Sequence, residues 1–189
     1  MTNRTIPAEP APDCALCPRL VAYRLENIAA EPDWFNGAVP SFGDDNASLL
    51  IVGLAPGRGG ANRTARPFTG DWAGDLLYPT LETFGFSTGR FDPGGNDDLR
   101  LVDAMITNAV RCVPPQNKPI GAEMNTCRPF LEARICALPQ LTTLICLGRV
   151  SHENTLKALA EMTGAADAAV ILAADYAKIR EQFGQPIGR

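Results

Sequence analysis

Cysteine is the residue type here whose spacing most directly suggests chemistry. Cys14 and Cys17 form a C-x2-C pair followed at once by Pro18. Cys112 and Cys127 form a wider pair with fourteen residues, "VPPQNKPIGAEMNT", between them. Soft thiolates suit zinc or an iron–sulfur cluster. A C-x2-C pair puts two sulfurs on one centre, and a distant second pair can close it if the fold brings the two together. A redox pair and ordinary buried thiols are the competing readings, and spacing alone does not choose between zinc and iron–sulfur. Cys136 falls on a predicted helix and Cys146 in a predicted strand. Both are expected to serve as small hydrophobes in the core.

The second candidate is the loop in "LIVGLAPGRGGANRTARPFTGDWAGDLL", Leu50 to Leu77. Its glycines, Gly53, Gly57, Gly59 and Gly60, suggest phosphate at first. They fit neither the G-x4-G-K-[ST] phosphate loop nor the G-x-G-x-x-G dinucleotide fingerprint. What remains is a backbone that a ligand can approach closely, with Phe68 presented after a proline. An aromatic there can stack on a flat ring, or simply pack in the core. Arg58, Arg63 and Arg66 in this loop, with Arg111 and Lys118 near a second one, allow a local basic face or plain solvated charge.

These residues need elements to position them. "SLLIVGLA", "LVDAMITNAV" and "LTTLICLG" read as strands, the first a continuous apolar run of the kind buried on both faces. Helices are predicted over Cys14 to Ala30, with Leu16, Leu20, Tyr23 and Ile28 near helical spacing, and over "GDWAGDLLYPTLETFG", "AEMNTCRPFLEARICAL" and the region of "SHENTLKALA". Glu31 to Asn46 reads as loop. The alternation predicts an α/β fold with a parallel sheet. Ligands in such sheets sit beyond the C-terminal strand ends. That puts the loops beginning at Ala55, Arg111 and Gly148 on one working face.

The totals fit one folded domain: 189 residues, 46% hydrophobic and 20% charged. A net charge of −4 argues against a protein that coats nucleic acid through bulk charge. No apolar run is long enough to span a bilayer. "MTNRTIPAEPAPD" lacks the apolar centre of a secretory signal, so the expected compartment is the cytoplasm. There, six cysteines do not suggest disulfides.

"GLAPGRGGANRTARPFTGDWAGDLLY", the spaced cysteines and "TNAVRCVPPQNKP" together resemble the uracil-DNA glycosylase superfamily, in its iron–sulfur branch. The family 5 type is most similar, with family 4 close to it. The resemblance runs from about Cys14 to about Ala160. It implies a three-layer α/β/α fold with a central parallel sheet. It implies a [4Fe–4S] cluster on Cys14, Cys17, Cys112 and Cys127. The substrate it implies is DNA carrying uracil or other deaminated bases; no membrane partner is expected, and the protein is expected to be a monomer. Such enzymes flip the base from the stack and hydrolyse its bond to the sugar. By the same resemblance, Gly53, Leu54, Ala55 and Gly57 line the pocket, Phe68 stacks on the base, and Asn108 reads the pyrimidine edge. Asp71 is the candidate for positioning water, with Asp75 the weaker one. An N-cap for the following helix is the competing reading of Asp71. A small residue at Gly57 suggests a roomy pocket.

Two features depart from the family pattern. The usual His-Pro-Ser motif is missing, so activity is in doubt, and a catalytically inactive iron–sulfur nucleic-acid-binding relic is the alternative. His152 stands at a helix start straight after the third strand and is expected to be a helix-surface residue. The domain is expected over 14–160, after a fraying N-terminus over 1–13. Residues 161–189 are expected to form an alanine-rich helix foreign to it, the domain's own end being truncated or replaced. "AADAAVILAADYAKIREQFGQPIGR" resembles a helix of acyl-CoA dehydrogenases, a match that implies a fused or misassembled frame rather than dehydrogenase activity. Alternatively, "AVILA" is a last strand.

Overall fold

The computed structural model describes residues 7–163. In chain order the elements are α1 (Pro18–Ala30), β1 (Phe42–Gly43), β2 (Leu49–Gly53), α2 (Ala61–Thr64), α3 (Trp72–Thr83), β3 (Ser87–Thr88), β4 (Arg100–Leu101), β5 (Ala104–Asn108), α4 (Gly121–Cys136), β6 (Thr143–Cys146) and α5 (Arg149–Thr163). The main sheet runs β1-β5-β2-β6. β5, β2 and β6 are parallel, and β1 pairs antiparallel with β5.

Every residue of β2 and β5 is buried. The reason is that both sheet faces are covered. Leu50 and Val52 point to one face, where Leu131 and Ile135 of α4 and Ala158 and Leu159 of α5 pack on them. Leu49 and Ile51 point to the other, against Tyr78 and Leu81 of α3. Side chains alternate across a strand, so covering both faces demands an unbroken apolar run. This is an α/β fold with helices on both faces of the sheet, as expected.

Several expectations are corrected. The sheet is mixed, because the presumed loop over 31–46 contains the edge strand β1. A separate two-stranded ladder, β3 with β4, was also unforeseen. Helix α1 begins at Pro18, with Cys17 as its N-cap; Pro fits the first helical position because the missing N–H has no partner there. Its buried positions are Leu20, Arg24 and Asn27, whereas Leu16 and Ile28 are exposed.

The N-terminal segment does not hang free from residue 7 onward. Pro10 is buried, and Glu9 pairs with Arg111 and Arg134. Of the expected C-terminal helix, residues 161–163 continue α5, and the rest lies outside the described residues.

Candidate active site

Gly53 ends β2 and Asn108 ends β5, and the two are direct partners in the parallel register. That pairing brings the asparagine amide level with the start of the glycine-rich loop. Phe68 comes to the same spot from sixty-eight residues into the chain, through a left-handed turn at φ 57°. A methyl group added at Gly53 would overlap both the Asn108 Oδ1 atom and the tip of the Phe68 ring. Gly53 is therefore the floor on which amide and ring meet. Asn108 is buried, and Phe68 is half-buried. A left-handed backbone at a bulky residue costs on the order of 1–3 kcal/mol and persists only where the surroundings impose it.

The remaining loop residues cluster around that floor. Leu54 and Ala55 are half-buried. The Leu54 carbonyl accepts from Val110 N at 3.0 Å, and the Gly53 carbonyl from Ala109 N at 2.9 Å. This ladder ties the first loop to the one after β5. Gly57 faces open space, with no protein atom near the position of a side chain, so packing does not demand a glycine there.

Asp71 is the N-cap of α3, its carboxylate accepting from Gly74 N at 2.8 Å. Burial raises its carboxyl above the usual aspartate range, opposed by that Gly74 amide. Gly74 is required because a side chain on it would strike the Phe68 carbonyl. The first turn of α3 thus abuts the Phe68 backbone. His152 is exposed in the first turn of α5, a surface residue as anticipated.

The four predicted cysteines come together. Cys14, Cys17, Cys112 and Cys127 line one cavity with Leu16, Leu20, Val110 and Phe130. Cys14 and Cys17 approach from the segment before α1, Cys112 from the loop after β5, and Cys127 from α4. Arg111 N points at Cys127 Sγ at 3.4 Å. Burial, with repulsion from the neighbouring thiols, pushes Cys112 up to about 12. Burial likewise takes Cys127 up to about 11. Bare thiolates are disfavoured in this cavity. Among the described residues no group of three or more His, Cys, Asp or Glu is arranged to hold a single metal ion. Ala55 packs against the cluster of Leu20, Val110, Cys127 and Phe130, so the thiol cavity forms the wall behind the loop.

Other expectations fail. Cys136 is exposed rather than in the core, while Cys146 packs against the core cluster. Arg66 and Arg111 belong to no basic face. Arg66 is buried and bonded to Asp97 at 2.6 and 2.7 Å. Arg111 is 1% exposed and donates to Glu9 and to Ser41 Oγ. Sequence reading missed Tyr78, Asp97 and Glu9. Tyr78 Oη donates to the Pro67 carbonyl at 2.6 Å. The run "FDPGGNDDL" announces a turn, but nothing in it singles out Asp97 as the partner of an arginine 31 positions away.

The profile of the Uracil DNA glycosylase superfamily matches residues 40–182, a span that runs past Ala160. The chain is 46% identical over 149 residues to a Type-5 uracil-DNA glycosylase of Thermus thermophilus, covering 76% of this chain and 67% of that protein. It is 35% identical over 157 residues to a Type-5 uracil-DNA glycosylase of Pyrobaculum aerophilum, covering 81% and 69%. A Type-4 uracil-DNA glycosylase of the same organism is 36% identical over 128 residues, covering 67% and 55%. With the matched span embracing the loop, the asparagine, Cys112 and Cys127, this chain belongs to the uracil-DNA glycosylase superfamily.

Proposed function

We propose that the protein hydrolyses the bond between uracil, or a related deaminated base, and its sugar in DNA. The observation that carries this reading is the meeting of Phe68 and Asn108 over Gly53. A flat heterocycle laid on the Phe68 ring brings its edge to the Asn108 amide. That amide can donate to a base carbonyl and accept from a ring N–H. Backbone from Gly53 through Leu54 and Ala55 to Gly57 closes the other side. As the bond breaks, negative charge grows on the base, and a fixed amide donor stabilises it without reorganising.

Asp71 is our candidate for holding the attacking water. Its carboxylate accepts from the Gly74 and Ala73 amides at the start of α3. A carboxylate can fill this role beside its capping one. The open space at Gly57 supports a pocket that admits bases larger than uracil.

Cys14, Cys17, Cys112 and Cys127 would hold a [4Fe–4S] cluster. The thiol-only donor set of the cavity is of the kind that iron–sulfur centres use. The bound group would supply a structural brace. The chain's own residues do the rest: Cys112 lies four positions beyond Asn108, so a fixed Cys112 fixes the exit from β5. Anaerobic purification should give a brown protein containing iron and acid-labile sulfide, and Cys112→Ser should lose both.

The activity test is incubation with uracil-containing single- and double-stranded DNA, followed by alkaline cleavage of abasic sites. Cleavage at the uracil position is expected. A complete lack of product, with binding to the same DNA retained, would replace this reading with that of an inactive nucleic-acid-binding protein.

A further inference from the structure

Phe68 is gripped from upstream as well as from the pocket. Arg66 sends both terminal nitrogens to the Asp97 carboxylate, at 2.6 and 2.7 Å, and one of them also to the Asp92 carbonyl at 3.0 Å. Its guanidinium lies over the rings of Phe42, Tyr78 and Phe91, at 5.3, 5.5 and 5.6 Å from their centres. Asp97 accepts further bonds from Asp92 N at 2.6 Å and Leu99 N at 3.2 Å. Tyr78, stacked on Phe91 at 4.4 Å, donates its hydroxyl to the carbonyl of Pro67. Residues 66 and 67 are thus tied to two separate segments, the loop before β4 and helix α3, immediately before the left-handed Phe68.

A buried ion pair is a poor stabiliser, since apolar residues of the same volume often do as well. A two-pronged charge pair and a directed hydroxyl supply orientation instead. We infer that Arg66, Asp97 and Tyr78 form a clamp that sets the position of the Phe68 ring, and through it the stacking of the substrate base. This rests on the stacking reading of Phe68 above. None of the three need touch the base; they are positioning residues.

Tyr78→Phe removes a single oxygen and leaves the ring stack intact. Asp97→Asn keeps the shape and removes the charge. Single-turnover excision of uracil from DNA is measured for the parent, Phe68→Ala, Tyr78→Phe and the double variant. Each single change is expected to lower the rate roughly 10- to 100-fold, as small misplacements do. The double variant is expected to be no slower than Phe68→Ala, because a clamp without its ring has nothing to hold. Rate losses that multiply would mean a merely structural tyrosine and would overturn the clamp. If Phe68→Ala keeps the parent rate, the stacking reading and the clamp fall together. If Phe68→Ala is slow and Tyr78→Phe is not, the clamp alone falls.

A second readout needs no turnover. In protein carrying isotope-labelled phenylalanine, the Phe68 ring signal is the one that Phe68→Ala removes. Tyr78→Phe and Asp97→Asn are each expected to shift or broaden it. A signal unmoved by both changes would overturn the inference.

Discussion

At the level of single residues, Gly53 is the position where the least change should do the most. It carries no side chain because Asn108 and Phe68 occupy the space. Gly53→Ala should cost about 1–3 kcal/mol of stability as an overpacked site. Its excision rate should fall further, roughly 10- to 100-fold, because ring and amide are pushed apart. Thermal unfolding alongside single-turnover kinetics separates the two losses. Gly57 makes the contrasting case. No protein atom stands near the position of a side chain there, so Gly57→Phe should leave the unfolding temperature unchanged. It should cut excision of hypoxanthine relative to uracil, read as the ratio of the two rates. Much of this site was legible in the sequence. Glycines, a Pro-Phe step and a strand-ending asparagine are local signals, and a register match between parallel strands brings them level. The grip of Arg66 on Asp97 was illegible because it joins residues 31 positions apart, and neither neighbourhood marks the other.

Among the elements, the long buried strands announced themselves, whereas β1, β3 and β4, each two residues long, are too short to show any periodicity. Helix α4 misled for a different reason. Its inward face carries Glu123, Arg128 and Arg134 beside Phe130, Leu131 and Ile135. These charges are paired with Arg19, Glu161 and Glu9. Paired charges thus fill part of the buried face, and Cys136 comes out exposed. The segment from Arg90 to Leu99 depends on a charge as well. The Arg66 hydrogen bond, helped by backbone amides, holds the Asp97 carboxyl down to about 2. An unfolded aspartate titrates near 3.9. Between these values the unfolded chain binds the extra proton, so stability rises with pH. The contribution is full above about pH 4 and is lost as the pH falls toward about 2. Acid unfolding of Asp97→Asn should lack this part of the slope, measured by chemical denaturation at a series of pH values.

On the scale of the whole molecule, the sheet, the glycine-rich loop and the thiol cavity are successive layers of one assembly, and the segment before α1 closes it. Glu9 stands at that closure. It accepts from the nearly inaccessible Arg111 and from Arg134, itself about 10% exposed. Neutralising it leaves the enclosed Arg111 guanidinium without its anion and Arg134 with Asp45 alone. Glu9→Gln should therefore cost about 3 kcal/mol, read from denaturant midpoints at constant slope. Arg111 immediately precedes Cys112 and offers its amide to Cys127, so this loss should extend to the thiol wall. The consequence is a practical one. Shaving the proline-rich start to obtain tidier crystals, or welding an affinity tag close to Glu9, would remove or tug on a counter-ion. Either handling choice is expected to lower the stability of a preparation whose pocket residues are untouched.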